Sequence, residues 1–189
     1  MIDILWGFND LTVEETGISS VLSYNVVPKL IELLSHTDLA LLTPSLRIIG
    51  NLISGTDEQA SVILKEKNLI PVLFKLAESP KKSIRREVFW TLSNITAGTP
   101  VMFETIMGNP TYVDKLIQTA ENDIPEVKRE ALFALSNSTG KCTPAQIVRV
   151  LNNGVFGCLV DLLGEHNARN LLVALEGVEN CLRWENNSI

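Results

Sequence analysis

Reactive and redox-specialised residues are scarce in this 189-residue chain, which has three cysteines, two histidines and only 6% aromatics. Cys142, Cys158 and Cys181 stand far apart and form neither a CxxC pair nor a metal spacing with His36 or His166. A zinc site and a disulfide framework are therefore not expected. The thiols read instead as reduced and mostly buried, in a cytosolic or nuclear compartment. The chain has no apolar run near the ~20 residues that a bilayer span needs, and no secretory leader. No stretch alternates apolar and polar residues between hairpin turns, so no strand is expected. A Gly-rich phosphate loop, a nucleophile–base pair and a metal cluster are all missing, which argues against an enzyme and against a bound cofactor. Basic excess is missing too. A net charge of −6 and a pI near 5.0 disfavour direct nucleic-acid binding and leave room for a basic partner. At 46% apolar and 20% charged residues, the chain has enough apolar surface to fold.

What is present is a beat. Asparagine recurs at Asn51, Asn94, Asn137 and Asn180, each 43 residues after the last, and the preceding segments rhyme: PSLRIIGN, EVFWTLSN, EALFALSN, VALEGVEN. A strict period near forty residues marks a helical solenoid. Each unit reads as three helices. One unit gives Glu58–Lys67, Leu69–Glu78 and Lys81–Ala97. The next gives Pro100–Met107, Thr111–Ala120 and Pro125–Thr139, and the last gives Pro144–Asn152, Val155–Leu163 and about Ala168–Trp184. Proline and glycine punctuate these segments, because proline lacks a donor and glycine stops helices. In the earlier unit, Thr43-Pro44 is expected to mark the first turn of the third helix. The organisation is one all-α solenoid domain: a partial repeat at 1–17, then repeats at 18–57, 58–99, 100–141 and 142–189. The opening segment, Met1 to Trp6, reads as the end of a third helix.

Helical phase says where the asparagines point. With about 100° per residue, Ile84, Val88, Phe89, Leu92 and Ile95 fall on one arc, the expected core stripe. Glu87, Trp90 and Asn94 fall together on a neighbouring arc. One repeat later, Val127, Ala131, Leu132 and Leu135 make the core, and Glu130, Phe133 and Asn137 the second arc. That arc carries Pro44, Arg47 and Asn51 in the earlier repeat, and Val173, Glu176 and Asn180 in the last.

An aromatic beside an amide, repeated off the core, forms a ladder suited to an extended basic peptide. Asparagine offers a donor and an acceptor, which can pair with the free N–H and C=O of an extended main chain. A lysine stem can lie against an aromatic face, with cation–π attraction of about 0.5–2 kcal/mol. Glu87 and Glu130 at the rim would select basic ends, and Asp57 could add another carboxylate. Other uses stay open: a recurring asparagine can cap locally, Phe133 can simply pack, and Arg47 can pair with a neighbouring acid. The basic run Pro80–Arg86 reads as a solvated helical surface.

These residues carry a specific resemblance. PSLRIIGNLISGTDEQ, SPKKSIRREVFWTLSNITAG, EVKREALFALSNSTG and, more weakly, ALEGVEN resemble the C-terminal armadillo repeats of importin-α (karyopherin-α), about the fifth to the ninth. The resemblance covers nearly all of the chain. It implies an armadillo-repeat superhelical solenoid that binds basic nuclear localisation signals along a concave Trp/Asn groove for nuclear protein import, between cytoplasm and nucleus. On that mapping the chain keeps the minor site and lacks the major one. Arg47 and Asn51 belong to the sixth repeat, Glu87, Trp90 and Asn94 to the seventh, and Glu130, Phe133 and Asn137 to the eighth. The family pattern adds Ser93 beside Asn94, with Ile53, Gly55 and Asp57 on the sixth-repeat side. Two departures stand out: Phe133 replaces the usual tryptophan, and Asp10 stands where asparagine or tyrosine is expected, four residues after Trp6. The basic segment that recruits importin-β in full-length relatives is absent, as is the last repeat. The rival reading is a truncated armadillo scaffold, binding other proteins or assembling through its N-terminal face.

Overall fold

The computed structural model describes residues 1–164 and 167–186; His166 and residues 165 and 187–189 lie outside them. Every regular element among the described residues is helical. The first seven are α1 (Ile2–Leu11), α2 (Glu15–Ser23), α3 (Val27–Leu33), α4 (Leu39–Ile53), α5 (Asp57–Ile63), α6 (Leu69–Leu76) and α7 (Lys82–Thr96). Then come α8 (Pro100–Met107), α9 (Pro110–Asn122), α10 (Pro125–Asn137), α11 (Pro144–Asn152), α12 (Val155–Asp161), a 3-10 turn at Leu162–Gly164, and α13 (Ala168–Asn186). Two short helices followed by a longer one recur along the chain, except that α9 and α10 are both 13 residues long. The chain divides into two compact units, residues 1–94 and 95–189.

The helices begin where the sequence supplies caps. The side chains of Thr56, Thr99, Asn109 and Thr143 accept hydrogen bonds from the backbone N–H groups of Gln59, Met102, Thr111 and Gln146. Pro100, Pro110 and Pro144 follow three of these caps as first helical residues, where no N–H is needed. Losing one such cap costs about 1 kcal/mol. The third helix of the first full repeat departs from expectation. Asp38 caps it, accepting from Ala40 N–H at 2.9 Å, so α4 starts at Leu39 and Pro44 lies inside it. The Asp38 cap and the apolar Leu39 and Leu42 start the helix a turn early, which outweighs the one backbone bond that proline removes.

Within the first unit, α4 packs on α1 and α3, and α5 packs on α2 and α4. Leu46, Ile48, Ile49 and Leu52 of α4 and Val88, Phe89 and Leu92 of α7 are fully buried. Within the second unit, α10 packs on α9 and α13, and α12 on α13. Val127, Ala131, Leu132 and Leu135 of α10 are likewise buried. Each such leucine contributes about 1.5–3 kcal/mol. The long helices therefore bury the stripe that helical phase assigns to them. The neighbouring arc holds the site.

Candidate functional site

In the first unit the site is built on α4 and α7. Trp90 follows the fully buried Phe89 and is itself half-buried. Its indole lies against the backbone of Gly50 in α4: a Cβ at Gly50 would stand 2.4 Å from Cζ3 and 2.9 Å from Cε3. Only glycine allows that approach. The ring thereby lies against the turn of α4 that carries Asn51, the residue after Gly50, while Asn94 stands one turn further along Trp90's own helix.

Glu87, three residues before Trp90, is 8% exposed. Arg47 Nε of α4 lies 3.5 Å from Glu87 Oε2, and Arg86 Nη2 lies 2.7 Å from Oε1. This carboxylate is paired by two guanidinium groups, which leaves the local balance at one positive charge. Of the uses open to Arg47, the ion pair with a neighbouring acid is the one formed, and it ties α4 to α7. The second unit repeats part of the arrangement. Arg129 Nη2 lies 3.2 Å from Glu130 Oε1, with the Glu130 side chain 13% exposed. Phe133 and Asn137 are half-buried, one and two turns further on.

The ladder asparagines are alike in burial and unlike in bonding. Asn51 Nδ2 donates to Thr12 Oγ1 at 3.1 Å and approaches Asn9 O and Oδ1 at 3.4 Å. Asn180 Nδ2 donates to Thr139 Oγ1 at 3.1 Å. Asn94 Nδ2 is buried and has no hydrogen-bond partner. An unmet buried donor costs about 1–3 kcal/mol and calls for an explanation.

The residues named from the family pattern are placed variously. Ser93 is buried and donates its hydroxyl to Trp90 O at 2.8 Å. Ile53 is 2% exposed. Gly55 is half-buried against the Gln59 side chain, and Asp57 is exposed in the first turn of α5. The structure thus brings Arg47 to Glu87 through the ion pair and Trp90 to Gly50 through the close approach.

Four participants escape sequence reasoning. Gly50 is one, although it directly precedes a ladder asparagine. Arg86 and Arg129 are two more, and their signal was there: the Arg-Glu dipeptide recurs at 86–87 and 129–130, on the 43-residue beat. Thr12 is the last, and no spacing rule points to it. The buried Cys142, Cys158 and Cys181 are free thiols. Desolvation chiefly pushes Cys142 and Cys158 up to about 12 and Cys181 up to about 11, so all three stay protonated at neutral pH.

Residues 17–54 and 56–97 match the armadillo/beta-catenin-like repeat model. Most of the chain aligns with solved armadillo structures. A designed armadillo repeat protein in complex with the peptide (KR)4 aligns over 93% of this chain and 73% of its own, with TM-score 0.86 at 20% identity. A computationally designed armadillo repeat protein for modular peptide recognition aligns over 93% and 73%, with TM-score 0.84 at 18% identity. The fold is that of an armadillo-repeat solenoid. Among natural proteins the chain is similar to importin subunit alpha-3 of Arabidopsis thaliana, 36% identical over 70 residues, or 36% of this chain. It is also similar to importin subunit alpha-1b of Oryza sativa subsp. japonica, 38% identical over 70 residues. The match spans 13% of the length of each of these relatives.

Proposed function

We propose that the Trp90–Asn94 face binds an extended, basic peptide segment, and that the chain serves as an importin-α-like adaptor for nuclear localisation signals. The observation that carries this reading is the placement of the half-buried Trp90 on Gly50, one turn before the half-buried Asn94 on its own helix. The indole offers its π-face to a lysine or arginine stem, and the asparagines offer groups to the ligand main chain. Glu87 supplies the negative charge, shared with Arg47 and Arg86, so a ligand cation must displace or join an existing pair. The Glu130–Phe133–Asn137 face adds a weaker second station, because phenylalanine is the poorest of these aromatics for a cation. A designed protein of the same fold holds the peptide (KR)4, which supports the chemistry. The plant relatives' names support a transport role, with cargo proteins as partners and work divided between cytoplasm and nucleus.

Titration with a fluorescent bipartite basic peptide tests the proposal. Trp90→Ala and Asn94→Ala should each weaken binding about 3- to 30-fold, the scale of one cation–π contact or hydrogen bond. Both variants binding as tightly as the wild type would sink the proposal and favour the scaffold reading.

A further inference from the structure

Hydrogen bonding at three of the ladder asparagines is uneven, and the residues about one repeat earlier account for it. Thr12 stands 39 residues before Asn51, and Thr139 stands 41 residues before Asn180. Each threonine has already committed its single proton. Thr12 Oγ1 donates to Phe8 O and Asn9 O, both at 3.0 Å, and Thr139 Oγ1 donates to Ser136 O at 2.6 Å. Toward the asparagine each hydroxyl can therefore act only as an acceptor. That fixes the amide with Nδ2 turned onto the hydroxyl, and leaves Oδ1 as the group it can offer a ligand.

The corresponding interval before Asn94 holds Ile53, Ser54 and Gly55. Ile53 is buried and apolar, Gly55 has no side chain, and Ser54 gives its hydroxyl to Asn51 O at 2.8 Å. Asn94 Nδ2 accordingly finds no partner. A half-turn of the Asn94 amide breaks no hydrogen bond to Nδ2, whereas the same turn at Asn51 or Asn180 breaks one.

We propose that a hydroxyl 39–41 residues before the asparagine sets what Asn51, Asn94 and Asn180 present, and that Ile53, which stands before Asn94 as Thr139 stands before Asn180, leaves Asn94 able to offer its N–H to a ligand carbonyl. Asn51 and Asn180 are acceptor-only stations. Ile53 is a positioning residue: it acts by withholding a hydroxyl. The ligand half of this inference rests on the peptide-binding reading above; the amide half does not.

The test compares Ile53→Thr with Ile53→Val, which match in shape and differ by the hydroxyl. Two readouts are taken: the Asn94 side-chain NH2 signals by 15N NMR without ligand, and affinity for an eight-residue peptide of alternating lysine and arginine. The threonine variant should slow water exchange of the Asn94 NH2 protons and bind the peptide roughly five-fold more weakly than the valine variant, as loss of one hydrogen bond implies. Thr139→Val should do the reverse at Asn180, speeding exchange there, and decides the matter should Ile53→Thr fail to fold. Identical Asn94 signals in the two Ile53 variants would overturn the inference, as would equal peptide affinities alongside differing signals. Differing signals with no peptide binding even by the wild type would leave the amide switch standing and overturn the peptide-binding function.

Discussion

Gly50→Ala is a one-methyl test of how the indole is seated. The added carbon would lie 2.4 Å from Trp90 Cζ3, 2.9 Å from Cε3 and 2.9 Å from Thr91 Oγ1. Ordinary carbon contacts need about 3.5–4.0 Å, so the ring must withdraw by roughly 1 Å or more. Two stability effects oppose each other. Alanine in a helix interior is favoured over glycine by about 1 kcal/mol, whereas overpacking costs about 1–3 kcal/mol. The net loss of stability should thus be small, about 0–2 kcal/mol. Affinity for a basic peptide should fall more visibly, by about 2- to 30-fold, if the displaced ring forfeits a cation–π contact of about 0.5–2 kcal/mol. Incorporating fluorotryptophan gives a direct assay, since 19F NMR resolves each indole and Trp90→Phe assigns the signal. The reasoning is refuted if Gly50→Ala leaves both the Trp90 resonance and the peptide affinity unchanged.

Arg47→Ala should tighten binding of a basic peptide about 2- to 5-fold at low salt, because it frees one side of the buried Glu87 carboxylate from an exposed arginine; a difference of about 0.4–1 kcal/mol corresponds to that change. The gain should shrink above physiological salt, and titration at two ionic strengths would show a salt-independent effect to be incompatible with this account. Asn51→Ala and Asn94→Ala should separate: the first loses the bond to Thr12 and about 0.5–1.5 kcal/mol of stability in urea unfolding, whereas the second removes an unmet donor and should be near neutral for stability while weakening the peptide. With Cys142 and Cys158 held up near 12 and Cys181 near 11, the folded state retains thiol protons that the unfolded chain releases near pH 8.5. Their contribution to stability is full below that pH and is lost as pH rises towards 11–12. Urea midpoints should drop across this window, and rapid thiol labelling of the folded protein at pH 8 would contradict the burial.

What the sequence made legible follows from periodicity and local chemistry. The third-helix stripe of Ile84, Val88, Phe89 and Leu92 could be read from phase alone, because a 100° step separates buried from half-buried faces. Helices α8 and α11 could be placed to the residue, since each begins with Thr-Pro and both residues act locally. The start of α4 was misplaced for the same reason: Pro44 is a strong local signal, yet Asp38 caps earlier and the apolar pattern carries through it. Within the site, Glu87, Trp90 and Asn94 shared an arc before any coordinates. Their state did not: the two arginines on Glu87, the glycine under the indole and the threonine holding Asn51 all arise from contacts between residues with no fixed offset. An amide near a helix end looks the same in sequence whether it is tethered or loose.

Gln59 and Gln146 each do two tasks at once. Each side chain accepts from the backbone N–H of its own N-cap threonine, Thr56 at 2.8 Å and Thr143 at 2.9 Å. Through Nε2 the same side chains reach an earlier first helix, at Ser19 Oγ for Gln59 and at Pro100 O and Glu104 Oε1 for Gln146. A helix of seven or nine residues is too short to persist alone in water. Here the amide that caps it is also bonded to a neighbouring helix. The caps thereby couple successive repeats: α5 is tied to α2, and α11 to α8. Loss of structure should accordingly pass from one repeat to the next, and replacing either glutamine should weaken that coupling without touching the Trp90–Asn94 face.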